Sequence, residues 1–270
     1  SENMTSEQSI IINVDSEWLH KNFIVEENQV FVFDGNKSLR LITIFDNIGM
    51  TVKKWTPYAG SSVIINDKYS WTITKEFKQM VNVYKDFISR MNISLNYNDN
   101  TISLYSHGFE PHGFRWKISN ADIDGETTWE LADNTVATSC EFDWRDLNLV
   151  LRAASFCHTA SVKVTSTSND VIWEGYDEEG IKCWAHQNQR LSWKFGEASS
   201  HFQPDVLFRI LKNMDKPKSY GTNTKFSILK NEILMVESES AIGYLTPIYN
   251  EENQSEGGLN ISTESVPEVN

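Results

Sequence analysis

Lysines and arginines at helical spacing are the residues of this chain best suited to chemistry, and that chemistry is ion pairing with phosphate. Lys75, Lys78 and Lys85 lie opposite a stripe of Phe77, Met80, Val81, Tyr84 and Ile88 in segment 75–90. Arg145 and Arg152, with Asn148, lie opposite Leu147, Val150, Leu151 and Ala154. Arg209, Lys212 and Lys216 lie opposite Val206, Leu207, Ile210, Leu211 and Met214. One surface helix with lysines opposite its core stripe is ordinary, so the repetition carries the argument. The chain is acidic, with a formal net charge of −13. Segments 75–90 and 202–218 nevertheless each hold four basic residues against two acidic ones, which leaves about −17 on the remainder. Basic faces on an acidic chain mark a defined phosphate-facing surface. No aromatic residue interleaves these charges at regular spacing, and no helix is rich in Asn, Gln and Arg at base-reading positions. The expected contact is therefore with phosphates, without sequence preference.

Other constellations are explained more simply. His107, Glu110 and His112 sit in a Gly/Pro-rich connection, not at metal-ligand spacing. Asp122, Asp124 and Glu126 lack the further ligands of a calcium loop. Cys157-His158 has no third partner for nucleophilic catalysis, and a buried thiol at a helix end accounts for it. Asp170, Glu174, Asp177, Glu178 and Glu179 read as a solvated acidic hairpin. No glycine-rich loop joins a strand to a helix as a phosphate cradle. The chain is thus expected to have no catalytic residue, metal site or cofactor, and not to be an enzyme. Three cysteines, Cys140, Cys157 and Cys183, form no CxxC pair, which favours a reducing cytoplasm. Hydrophobic residues make up 40% and charged residues 23%, as in a soluble globular protein. No apolar run is long enough for a membrane helix, and the opening residues do not read as a signal peptide.

Short β-branched and aromatic runs supply the frame that must hold these faces. In the first half they are Ser9–Val14, Gln29–Phe33, Leu39–Phe45, Tyr69–Thr74, Asn92–Tyr97 and Thr101–Tyr105. In the second half they are Ala137–Phe142, Ser161–Ser166, Val171–Tyr176, Ile181–His186, Leu191–Phe195, Lys225–Leu229, Ile233–Glu237 and Ala241–Leu245. Helices are expected at about 16–23, 75–90, 144–155 and 204–214. Asp15, Thr74 and Asp143 stand at their N-caps, and Pro204 suits a first helical position. The order is a βαβββ unit used four times, twice in each of two domains. Residues 4–118 and 137–249 form the domains, 119–136 an acidic connector, and 250–270 an acidic tail expected to be disordered.

This order resembles that of the DNA sliding clamps. Glu141-Phe-Asp-Trp-Arg-Asp-Leu-Asn-Leu-Val-Leu-Arg-Ala-Ala-Ser155 is similar to the family's strand followed by an Asp-Leu…Leu-Arg-x-Ala helix. Ala241-Ile-Gly-Tyr-Leu-Thr-Pro-Ile248 is similar to its closing Tyr-Leu-x-Pro strand. Trp18–Phe23 followed by Gln29–Phe33 resembles the opening of the two-domain clamps of tailed bacteriophages, which share the proliferating-cell-nuclear-antigen fold. The likeness covers most of residues 9–249, although the 49–68 stretch is longer than its family counterpart. It implies an α+β clamp fold, with helices on one side and antiparallel sheets on the other. It also implies a homotrimeric ring around double-stranded DNA that tethers a DNA polymerase for processivity and is opened by a clamp loader. The location implied is the cytoplasm of a phage-infected bacterium. Lys75, Lys78, Lys85, Arg145, Arg152, Arg209, Lys212 and Lys216 would face DNA, and Leu131, Leu245, Pro247 and Tyr249 would receive partner peptides. The alternatives are a monomeric DNA-bound processivity factor and a β-rich structural viral assembly protein.

Overall fold

The computed structural model describes residues 9–33, 39–55, 62–63, 69–86, 89–96, 101–106, 113–117, 135–142, 144–156, 160–167, 170–188, 196–215 and 224–248. The connector up to 134, the His107–His112 segment, Cys157-His158 and the tail from 249 lie outside them. The described residues fall into two compact units. One holds those up to Thr43 and from Lys53 to Lys117; the other holds Ile44–Val52 and everything from Thr135 to Ile248.

The first half of the chain runs β1 (Ser9–Asp15), α1 (Ser16–Asn22), β2 (Asn28–Phe33), β3 (Leu39–Phe45), β4 (Gly49–Trp55), a short β5 (Ser62–Val63), β6 (Tyr69–Thr72), α2 (Lys75–Tyr84), β7 (Arg90–Asn96), β8 (Thr101–Ser106) and β9 (Gly113–Lys117). The second runs β10 (Val136–Phe142), α3 (Trp144–Phe156), β11 (Ser161–Ser166), β12 (Asp170–Asp177), β13 (Gly180–Asn188), β14 (Ala198–Phe202), α4 (Pro204–Lys212), β15 (Thr224–Leu229), β16 (Leu234–Glu237) and β17 (Ala241–Leu245). Setting β5 aside, the chain is βαβββ four times over.

Strand exchange locks the two repeats of each unit together. The strand before one helix pairs antiparallel with the strand after the other: β1 with β7 and β6 with β2, then β10 with β15 and β14 with β11. Neither repeat can therefore complete its sheets alone. In the first unit one sheet has the order β5-β1-β7-β8-β9, and in the second one has β13-β12-β11-β14. Strict alternation of burial along β11 and β12 turns Val162, Val164, Val171 and Trp173 inward. Trp173 meets Phe226 edge-on, with ring centroids 5.2 Å apart.

The first unit's core gathers Phe31, Trp71, Phe77 and Val81 with Leu19 of α1 and the inward residues of β1, β7 and β8. Trp18, Phe23, Trp55 and Tyr84 close its margin. In the second unit, Gly49 and Gly243 let α4 settle onto the sheet. A Cβ at Gly49 would come within 2.6 Å of Ile210 Cδ1, and one at Gly243 within 2.9 Å of Ile210 Cγ2.

Four strands fall where none is expected: β4, the short β5, β9 and β14. The last lies beyond the Leu191–Phe195 run, which is outside the described residues. The hairpin between β3 and β4 turns on Asp46 and Asn47, with φ of 50° and 58°. Two successive left-handed residues make a type I′ turn, and Ile48 N–H closes it on Phe45 O at 3.1 Å. The segment 75–90 is helical only to Tyr84, where Lys85 caps it. Thr74 caps α2 as expected, its hydroxyl accepting from Phe77 N–H at 3.2 Å, whereas the Asp15 side chain makes no cap bond to α1.

Candidate nucleic-acid interface

α2 presents two kinds of lysine. Lys75, in its first turn, is exposed beside Gln79 and Asn82. Lys78 is instead 4% exposed, and its ammonium donates to the carbonyls of Ile24 at 2.8 Å and Glu27 at 2.7 Å. Burial lowers its pKa from the ordinary lysine value to about 8, against the opposing pull of Glu27 and Glu26. The expectation that Lys78 faces solvent is therefore corrected: it holds the turn between α1 and β2. Lys85 is half-buried, its Nζ 2.9 Å from His20 Nε2 on α1.

The cause is angular. At about 100° per residue, Lys78 and Lys85 stand on the shoulder of the Phe77–Val81 stripe, and Lys75 stands farther round. α1 packs against α2 and covers that shoulder.

In the second unit, α3 and α4 bury the stripes read from sequence: Leu147, Val150, Leu151 and Ala154, and Val206, Leu207, Ile210, Leu211 and Met214. Gln203 Oε1 accepts from Val206 N–H at 2.7 Å and caps α4, with Pro204 at its first position. Arg152 and Lys212 are exposed and have no ion-pair partner among the described residues. Arg209 is different. Its guanidinium is bracketed by Asp46 at the hairpin tip and by Asp205, 3.0 Å away on the preceding turn. The same group lies 5.7 Å from the centre of the Phe45 ring. Two carboxylates satisfy Arg209 from within its own unit, so it is a poor free phosphate ligand.

Lys75, Arg152 and Lys212 are therefore the solvent-facing cations of the sequence-derived set. Lys216 and the Arg145 side chain lie outside the described residues, as do Leu131 and Tyr249. Leu245, the last residue of β17, is 1% exposed, and Pro247, two residues beyond it, is buried, so neither offers surface to a peptide.

Exposed apolar residues that the sequence did not single out include Leu149 and Phe156 on α3, and Ile181 and Trp184 on β13. Trp184 is 68% exposed, on the outermost strand of its sheet. The available signal was its alternation with Cys183 and Ala185, which puts Trp184 in register with outward Lys182 and His186. Among the described residues no group of His, Cys, Asp and Glu is placed to hold a metal ion. Burial pushes the Cys140 thiol far above its usual range, away from the reactive thiolate. No described helix is long and apolar enough to cross a membrane.

No protein-family profile matches the sequence, and no curated protein matches it. Solved structures do. The Thermotoga maritima DNA polymerase III beta subunit superposes with a TM-score of 0.66 at 12% identity, over 93% of this chain and 68% of that one. The Helicobacter pylori beta clamp bound to a DNA ligase peptide gives 0.63 at 10% identity, over 92% and 68%. A PCNA2–PCNA3 complex from Sulfolobus tokodaii gives 0.61 at 11% identity, over 88% of this chain and 98% of that one. Identities this low speak to architecture alone: four βαβββ repeats in two units, the fold of the DNA sliding clamps.

Proposed function

We propose that this protein is a sliding clamp, a ring that encloses duplex DNA and tethers a DNA polymerase to it. The observation that carries this reading is the clamp fold with solvent-facing cations on α2, α3 and α4. Lys75, Arg152 and Lys212 stand on long side chains without rigid partners. Such side chains attract phosphate by charge and let it go easily, so they permit sliding where oriented hydrogen bonds would oppose it. Residence on DNA then comes from enclosure, and the affinity at each phosphate can stay low.

Two domain-sized units per chain fit a homotrimer of six units. The free edges of β9 and β13, each outermost in its sheet, are the strands a neighbouring copy would extend. A clamp loader would open the ring, and partner peptides of the kind bound by the H. pylori clamp would dock near the connector and closing strand. Leu131 and Tyr249 remain candidates for that role, joined by exposed Ile248 in place of buried Leu245 and Pro247. By this reading the protein works in the cytoplasm, and the bacteriophage origin rests on the sequence resemblance alone.

Reversing the exposed charges tests the DNA reading. The full chain with Lys75→Glu, Arg152→Glu and Lys212→Glu is expected to keep its unfolding midpoint, since all three are surface sites. Its affinity for duplex should fall, and the slope of log K against log salt should decrease by about 0.9 for each phosphate no longer neutralised. Titrations of labelled duplex by anisotropy at several salt concentrations measure both. An unchanged affinity and slope would remove these residues from the interface.

A further inference from the structure

A groove in the second unit lies between the end of α3 and the start of α4. It has a volume of about 360 Å³ and is lined by Arg152, Phe156, Gln203, Pro204, Asp205 and Phe208, among others; the Asp205 carboxylate is already paired with Arg209, 3.0 Å away. Its character is mixed. Phe156 is 91% exposed and Phe208 37%, while the Arg152 guanidinium is exposed with no ion-pair partner among the described residues. Phosphate alone would satisfy Arg152 and leave both aromatic rings in water. An occupant that matches the whole groove needs apolar side chains and negative charge on one strand.

The chain's own sequence supplies such a segment close by. The last described residue, Ile248, donates its N–H to His201 O at 2.7 Å. His201 is two residues before Gln203, which lines the groove. Beyond Ile248 come Glu251, Glu252, Glu256, Glu264 and Glu268, with no Lys or Arg, and Leu259 and Ile261 between them. Leu259 follows Ile248 by 11 residues, a span that extended chain covers with roughly 3.3–3.6 Å per residue. A segment tethered this closely reaches an effective concentration on the order of millimolar, so weak interactions suffice.

We propose that residues 251–268 dock as an acidic strap in the α3–α4 groove of their own chain. The early glutamates meet Arg152, and Leu259 and Ile261 cover Phe156 and Phe208. Docked there, the strap withdraws one of the solvent-facing cations from phosphate. The docking stands without the clamp reading; only its consequence, competition with duplex DNA, rests on it.

A photo-crosslinker in the full chain tests this. p-Benzoylphenylalanine replaces Phe208 in one variant and Phe156 in another, both tolerant sites because the rings are exposed. After irradiation, mass spectrometry maps the joined peptides. The expected product from either site is an intrachain crosslink to residues 249–270. Its yield should drop severalfold when the five glutamates become glutamine or when salt is raised to 0.5 M. Crosslinks confined to other segments, or joining two copies, would overturn the strap. Added duplex DNA should also lower the yield. A duplex that binds the protein without changing the yield overturns the competition and leaves the docking standing. A nicked circular duplex that retains no protein even with a clamp loader present sinks the clamp reading instead, with the crosslink map still deciding the strap.

Discussion

Lys78→Glu is expected to cost roughly 3–5 kcal/mol of stability, the range for leaving an uncompensated charge buried. The Lys78 ammonium gives two hydrogen bonds to the carbonyls of Ile24 and Glu27, so a glutamate there would aim a carboxylate at two acceptors. Glu26 and Glu27 add like-charge repulsion. Lys75→Glu, on the exposed face of the same helix, should stay within about 0.5 kcal/mol of the parent. Urea unfolding followed by tryptophan fluorescence separates the two cases, since Trp18, Trp55 and Trp71 report on the first unit. The pH dependence gives a second handle. With its pKa at about 8 in the folded chain and near 10.5 when unfolded, Lys78 holds fewer protons folded than unfolded between those values. Stability from this group must therefore rise as pH increases from 8 to 10.5, and the burial cost is fully present below 8. Lys78→Met should abolish that rise. A Lys78→Glu chain as stable as the parent would mean that the side chain faces water.

In the homotrimeric ring proposed above, the paired substitution Ile181→Glu and Trp184→Glu is expected to reduce the assembly from three chain masses to one. Among the described residues β13 is outermost in its sheet, so its outer edge is one that a further strand could extend. A nine-residue edge with an outward Trp184 and Ile181 lacks two usual protections of an edge strand, proline and brevity, and its outward Lys182 is tied to Asp177 and Glu179 near one end. Leu149, exposed on α3, adds apolar area on an element that packs against β13. Burial of these side chains by a second copy favours association by about 25 cal/mol for each Å² removed from water. Two carboxylates at the centre of that interface would have to be desolvated without partners. Sedimentation velocity at several concentrations measures the mass. The secondary structure should not change, because both positions already face solvent in the single chain. A variant whose mass matches the parent's places the subunit interface elsewhere.

Much of this architecture was legible from periodicity. The stripes of α3 and α4 are buried residue for residue as their spacing requires, and Thr74 and Pro204 mark helix starts correctly. The missing strands had weaker signals. β14 reads Ala-Ser-Ser-His-Phe, with little β-branched or aromatic character, and forms because β11 offers it an edge. β4 depends on the turn at Asp46-Asn47, which needs two left-handed residues and which Asn and Asp permit without demanding. The functional surface was less legible than the fold. A helical projection separates inside from outside but does not show which neighbour covers the shoulders. The turn between α1 and β2 takes Lys78 and α1 takes Lys85 from the basic face of α2, and Asp46, distant in sequence, takes Arg209. Leu245, at the end of β17, and Pro247, just past it, are buried by their neighbours, a tertiary fact that a local fragment does not carry.

The central claim is enclosure, and topology tests it most directly. The full chain is loaded with a clamp loader onto a nicked circular duplex, which is then passed through a sizing column in high salt, either intact or after cutting at one site. The protein is expected to stay with the closed circles and to be lost when the DNA is linearised, because a ring slides off free ends. Equal retention on circular and linear DNA, falling with salt in the same way on both, would contradict enclosure and leave a protein held on DNA by charge.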